Sequence, residues 1–280
     1  MLNEHYVKLG PVRTRYFEAG HRSAPVVVLI HEGGYGGDAP NTFGRVVPHL
    51  VDKYRVVMPE MLGFGGTDKA VFFGENPYEP RLRHLAAFFD ALDLQQMHVV
   101  GNSFGGGVTL RMTLRPETAW RMRSAASISG TGGPFRTQEG MQGAFEYTPS
   151  LEEAHRLDSW ILGDAVPDDE HAQDRFDSSM RPGQWESMMA ARLRNPSLPA
   201  APKAIQWDLP AALSASKTPT LLVAGSEDRM LEAGWELKLA EHINDVAIER
   251  LETSHSPNIS HPELAAKTLR AFFERIEQRG

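Results

Sequence analysis

The 280-residue chain has no cysteine. Disulfides, thiolate metal sites and a cysteine nucleophile are therefore excluded, and this fits a reducing compartment. It has no basic stripe. Its 29 Lys and Arg stand against 36 Asp and Glu, a formal charge of −7, which argues against nucleic acid as a partner. It has no apolar stretch long enough to span a bilayer. Its first residues, Met1-Leu2-Asn3-Glu4-His5, lack the basic region and apolar run of a signal peptide. It has no internal repeat and no low-complexity tract. The expectation is a cytoplasmic α/β protein that acts without membrane, metal or cofactor. The length suits one large domain, or one domain with an insertion. Such a fold buries roughly 75% of its unfolded surface and needs no covalent or metal staple.

What is present alternates between strand and helix patterns. Residues 5–9 and 12–18 flank Gly10-Pro11 and read as an edge hairpin. Val26-Val27-Val28-Leu29-Ile30 is apolar on both faces, as a central parallel strand requires. Residues 41–51 read as a helix, 54–58 as a strand, 81–92 as a helix with apolar positions at helical period, and 125–129 as a strand. This βαβ rhythm predicts a parallel sheet with helices on both faces. It breaks at Gly130. The stretch to about Leu209 holds helical patches, prolines at 196, 199, 202 and 210, and the aromatics Trp160, Phe176, Trp185 and Trp207. Those aromatics favour an inserted helical lid over a disordered linker. Trp160 and Trp185 read as lid core. The rhythm resumes with strand 220–224, helix 230–243, strand 246–251 and helix 262–276. The division is thus a core of 1–132 and 210–280, with a lid of 133–209.

One stretch carries chemistry by itself. The apolar run from Met97 leads into Gly101-Asn102-Ser103-Phe104-Gly105, and a helix-like segment follows, stopped by Pro116. Strand, sharp turn and helix are the context of a nucleophile elbow, with small residues flanking Ser103 and its Oγ exposed at the strand's carboxyl end. The Phe104 N–H, at the start of a helix, can point at an oxyanion. The loop His31-Glu32-Gly33-Gly34-Tyr35-Gly36-Gly37 follows a buried strand and suits an oxyanion loop, with His31 in a structural role.

Two later strands end in loops that hold partners for Ser103: Gly225-Ser226-Glu227-Asp228 and Glu252-Thr253-Ser254-His255-Ser256. In a doubly wound sheet all these strand ends lie on one edge. Imidazole titrates near neutrality and can take the serine proton, and a carboxylate fixes its tautomer. Glu227 competes with Asp228 for the acid role. Asp228 is favoured by its place three residues beyond Gly225 and by its shorter side chain. His261 competes with His255, but His261-Pro262-Glu263 reads as a helix start. Asn102 serves the tight turn or the site.

Over nearly its whole length the chain resembles an α/β-hydrolase: an eight-stranded, mostly parallel sheet with helices on both faces and an inserted lid. Within that superfamily it resembles the meta-cleavage product hydrolases, which split C–C bonds in products of aromatic ring cleavage. The likeness rests on residues 31–37, Asn41 and the Phe43 to Pro48 stretch, residues 59–68, the elbow, Asp174-Arg175-Phe176, and residues 225–228 with His255. It implies a triad of Ser103, Asp228 and His255, and oxyanion donors at Gly33, Gly34 and Phe104. It also implies Asn41 and Asn102 on the polar side of the site, and Arg175 on a carboxylate of a small-molecule substrate. The reaction it implies is hydrolysis of a 2-hydroxy-6-oxo-dienoate, with esterase or lactonase chemistry as the alternative and a non-catalytic binding protein more distant. A homo-oligomer is left open. Glu32 stands where that family has glycine, and Ser256 where it tends to carry tryptophan.

Overall fold

A sheet with two buried faces forms here around a central strand, since Val26–Ile30 is apolar at every position and the strands beside it are largely buried. The computed structural model describes residues 2–72, 76–145, 147–165, 169–190 and 208–279. The described strands are β1 (Asn3–Leu9), β2 (Val12–Ala19), β3 (Val26–Ile30), β4 (Arg55–Pro59), β5 (Met97–Asn102), β6 (Met122–Ile128), β7 (Thr220–Gly225) and β8 (Val246–Leu251). They form one sheet in the order β1-β2-β4-β3-β5-β6-β7-β8. β1 and β2 run antiparallel at one edge, and β4, β3, β5, β6, β7 and β8 are mutually parallel. The chain belongs in the α/β class, as the alternation predicts.

Described helices are α1 (Ala39–Phe43), α2 (Tyr78–Ala91), α3 (Phe104–Met112), α4 (Pro116–Ala119), α5 (Gln138–Phe145), α6 (Leu151–Leu162), α7 (Asp169–Ser179), α8 (Gln184–Ala190), α9 (Leu209–Leu213), α10 (Trp235–Ala240), α11 (Pro257–Ser260) and α12 (Pro262–Glu277). Alternation along β3 assigns their faces. Val27 and Leu29 pack with Phe43 of α1 and with Leu269 and Phe273 of α12. Val28 and Ile30 pack on the other side with Leu82, Leu85 and Phe89 of α2 and with Val108 and Met112 of α3. Successive strand side chains point to opposite faces, so five residues seed both cores. No helix among the described residues is long and apolar enough to cross a membrane.

The chain goes from β3 to β4 on one side and returns to β5 on the other. The crevice outside the β3 and β5 carboxyl ends is therefore the topological switch point where such sheets bind ligands. The loop after β3 and the elbow after β5 both open there.

Residues 133–209, expected to form a lid, hold α5, α6, α7 and α8, with a lone bridge between Arg136 and Leu231 as the only strand-like pairing among the described residues there. Trp160 and Trp185 pack on a cluster of Tyr35, Tyr147, Leu157, Ile161 and Ile259. Trp207 and the prolines at 196, 199 and 202 lie outside the described residues. Two expected helices are shorter than the pattern predicts. The 41–51 helix is α1 followed by a separate turn of 3-10 helix, Val47–His49, with Gly44 between them and Pro48 inside the turn. The 230–243 helix reduces to α10, entered through Gly234 in the left-handed region at φ 75°.

Candidate active site

The elbow is set by packing around β5. This strand is buried throughout, between β3 and β6. Ser103 then turns with φ 52° and ψ −113°, a costly backbone for a non-glycine residue and the mark of a strained nucleophile turn. Its N–H is held by the Ile128 carbonyl at 2.8 Å, and its carbonyl accepts from Gly107 at 3.0 Å. Gly105 permits the turn. A Cβ there would lie 2.2 Å from the Ile30 carbonyl oxygen and 2.4 Å from that of His31. The elbow helix thus touches the β3 end directly, and only glycine fits.

The acid and base meet across the β7 and β8 ends. Asp228 Oδ2 lies 2.7 Å from His255 Nδ1, and its Oδ1 accepts from the Met230 N–H at 2.7 Å. Both side chains are buried, whereas Glu227 is exposed. The carboxylate on Nδ1 leaves Nε2 as the free ring nitrogen. That atom is buried and has no hydrogen-bond partner among the described residues. The base loop is tied to the elbow by the residues next to the reactive ones. Ser256 Oγ donates to Asn102 Oδ1 at 3.1 Å, and Asn102 Nδ2 donates to the Ile128 carbonyl at 3.2 Å. His261 precedes α12 and bonds Ser260, away from this pairing.

His31 closes the floor. Its Nδ1 donates to the Glu32 carbonyl at 2.6 Å and its Nε2 accepts from the Met61 N–H at 3.0 Å. Burial pulls its pKa down, in keeping with a neutral structural imidazole. Gly33 abuts Phe104: a Cβ there would lie 2.8 Å from Phe104 Cβ. One of the three expected oxyanion donors is engaged within its own loop. Gly34 directs its N–H to Glu32 Oε2 at 3.3 Å, because the Glu32 side chain folds back over its own loop.

The polar residues beside the site are already engaged. Asn41 donates from Nδ2 to the Gly36 carbonyl at 3.0 Å and stays partly exposed. Asn102 is buried, with Nδ2 bonded to the Ile128 carbonyl and Oδ1 to Ser256. Arg175, expected to hold a substrate carboxylate, is fully enclosed at 0% exposure. Its Nε donates to Asp158 Oδ1 at 2.6 Å, and its Nη1 donates to Glu32 Oε1 at 2.8 Å and to the Tyr35 carbonyl at 2.9 Å. Nη2 has no partner among the described residues. Burial opposes both charges. Even so, Asp158 and Glu32 raise the Arg175 pKa, and Arg175 with His171 holds the Asp158 carboxyl below its usual range. His171, one turn before Arg175 on α7, places Nδ1 2.8 Å from Asp158 Oδ2 and Nε2 3.1 Å from the Asn41 carbonyl. Ser178, further along the helix, donates to Asp38 at 2.8 Å. Helix α7 is therefore pinned to the core by a line of polar contacts. Asp158, His171 and the Glu32 contact were missed from sequence. The i, i+4 spacing of His171 and Arg175 marks one helix face, but nothing local points to Asp158 on α6.

The switch-point crevice, the strained serine elbow and the carboxylate–imidazole pair together define an α/β-hydrolase. The model of the alpha/beta hydrolase family matches residues 27–268, and the chain belongs to that family. It is similar to a 2-hydroxymuconate semialdehyde hydrolase from Pseudomonas sp. (strain CF600), 32% identical over 83% of this chain and 80% of the relative. It is similar to a 2-hydroxy-6-oxo-2,4-heptadienoate hydrolase from Pseudomonas putida, 30% identical over 85% and 83%. Among solved structures, a meta-cleavage product hydrolase from Pseudomonas fluorescens IP01 (CumD) superposes with TM-score 0.82, 26% identity and 97% coverage of both chains.

Proposed function

We propose that this chain is a serine-triad hydrolase that cleaves a carbon–carbon bond in a 2-hydroxy-6-oxo-dienoate, giving a carboxylic acid and a 2-hydroxydienoate. The observation that carries the reading is the Asp228–His255 pair, whose buried, unpartnered Nε2 lies in the loop hydrogen-bonded to the residue before Ser103. The names of the 30–32% identical relatives supply the substrate class. In this reading the dienol first ketonises, with His255 carrying the proton. The carbonyl at C6 is then attacked, its oxygen facing the N–H groups of Gly33 and Phe104, and water supplies the elements that complete the acid. Asn41 lines the polar side, and the acid end of the substrate approaches Arg175 at Nη2.

A panel of coloured ring-fission products tests this. The expected result is loss of the dienoate absorbance at a rate far above that of a neutral p-nitrophenyl ester. The enclosure of Arg175 favours a second reading, an esterase for uncharged esters. The reverse ranking of kcat/KM between the two substrates would establish it. Arg175→Ala should depress kcat/KM for the dienoate more than for the ester. Equal losses would leave Arg175 outside substrate binding.

A further inference from the structure

A guanidinium grips a carboxylate best through two parallel N–H groups. Arg175 no longer has such a pair to give. Asp158 occupies Nε, and Glu32 with the Tyr35 carbonyl occupies Nη1. Nη2 alone is left, between two anions. Glu32 is well fixed in this position. Its other oxygen accepts from Gly34, and a Cβ at Gly37 would lie 3.0 Å from its Oε1. With 6% of Glu32 exposed, little water is present to screen its charge. A Cβ at Gly36 would lie 1.9 Å from the Arg175 carbonyl oxygen, so the loop and α7 are in close backbone contact.

We propose that Glu32 is a specificity-determining residue that competes with the substrate's acid end for Arg175. An incoming carboxylate either takes a single bond from Nη2 beside a negative charge or displaces Glu32 Oε1 from Nη1. Both routes weaken an anionic terminus and spare an uncharged one of the same shape. This rests on the reading that the acid end meets Arg175. It goes beyond that reading by making the residue before Gly33 the one that sets how strongly the acid is held.

The test is equilibrium binding by calorimetry at pH 7.5, with sorbate, an inert dienoate, and its uncharged amide as probes. Glu32→Gln keeps the size and a hydrogen-bond acceptor but removes the charge. It should tighten sorbate at least tenfold while the amide changes less than about twofold. Glu32→Gly should shift the acid-to-amide ratio in the same direction, which covers the case in which the glutamine variant misfolds. Adding Arg175→Met to either should abolish the gain. Sorbate affinity unchanged in both variants, or acid and amide moving together, would overturn the proposal. Because no turnover is read, failure of the parent to cleave any dienoate would refute the proposed reaction and leave the binding ratio to judge Glu32.

Discussion

The strand ends around Ser103 and the face of α7 above them handle polar atoms in opposite ways. At the strand ends, His255 Nε2, the proposed proton carrier, is buried and left without a partner among the described residues. Its orientation comes from the far side, where Asp228 holds Nδ1. On α7 the buried polar side chains, Arg175 Nη2 apart, are bonded to other protein groups. Arg175, Asp158, His171 and Glu32 form a connected network, and Ser178 adds a bond to Asp38. An unsatisfied buried group costs stability, and an active site accepts that cost where reaction requires it. The α7 network does the reverse: it ties α7 to α6 and to the loop after β3 through paired charges. The difference separates residues that should lower activity without unfolding the chain from residues that should do both.

The largest effect expected is at the nucleophile. Ser103→Ala should lower turnover of the cleaved substrate by a factor on the order of 10⁶ while leaving the melting temperature near the parent's. A rate within tenfold of the parent would remove Ser103 from the chemistry. At the acid, Asp228→Asn should slow the reaction by roughly 10⁴, because an amide allows the wrong imidazole tautomer. Glu227→Gln, at an exposed position, should change it little. Steady-state rates in the opposite order would assign the acid to Glu227.

The α7 network should respond in stability first. Asp158→Asn leaves the buried Arg175 and His171 facing a neutral group. Breaking such a pair on one side costs about 3–5 kcal/mol, seen as a lowered midpoint in urea unfolding. An unchanged midpoint would mean that the network does not fasten the lid. A pH dependence arises away from the site. Burial pushes the pKa of His84 and of His98 down to about 4, so both stay neutral in the fold and take up protons on unfolding. Between pH 6.5 and 4 the unfolded chain binds more protons, so folding stability should fall as pH falls through that window and be flat on their account above it. Denaturant midpoints across pH 4–8 check this. His98→Gln, which keeps a polar partner for Ser124, should flatten part of the acid slope.

Much of this was legible in the chain. The apolar β3 run, the Gly101 to Gly105 elbow and the two loops that carry Asp228 and His255 are local signals, and the strands occur where the alternation places them. Helices were less legible. The 41–51 and 230–243 patterns have the right apolar spacing, yet Gly44, Pro48 and Gly234 shorten them. Backbone restrictions at single residues outweigh periodicity there. At the site, the strained turn at Ser103 and the pairing of Asp228 with His255 were readable because each lies in a loop that directly follows a strand. The neighbours were not. Asn102 faces Ser256, 154 positions away, and Arg175 faces Glu32, 143 positions away.

The sequence by itself determined the class of fold and which serine, carboxylate and imidazole stand at strand ends, since strand patterning, turn chemistry and the order of elements are properties of contiguous residues. Only the tertiary structure decided what the polar residues around them do. It gave the N–H of Gly34 to Glu32, closed both ends of the Asn102 amide, and enclosed Arg175 between two carboxylates. The physical reason is that a buried charge takes whichever partner packing brings within about 3 Å. For Arg175 those partners come from a loop after β3 and a helix of the lid, segments that meet only once the chain has folded.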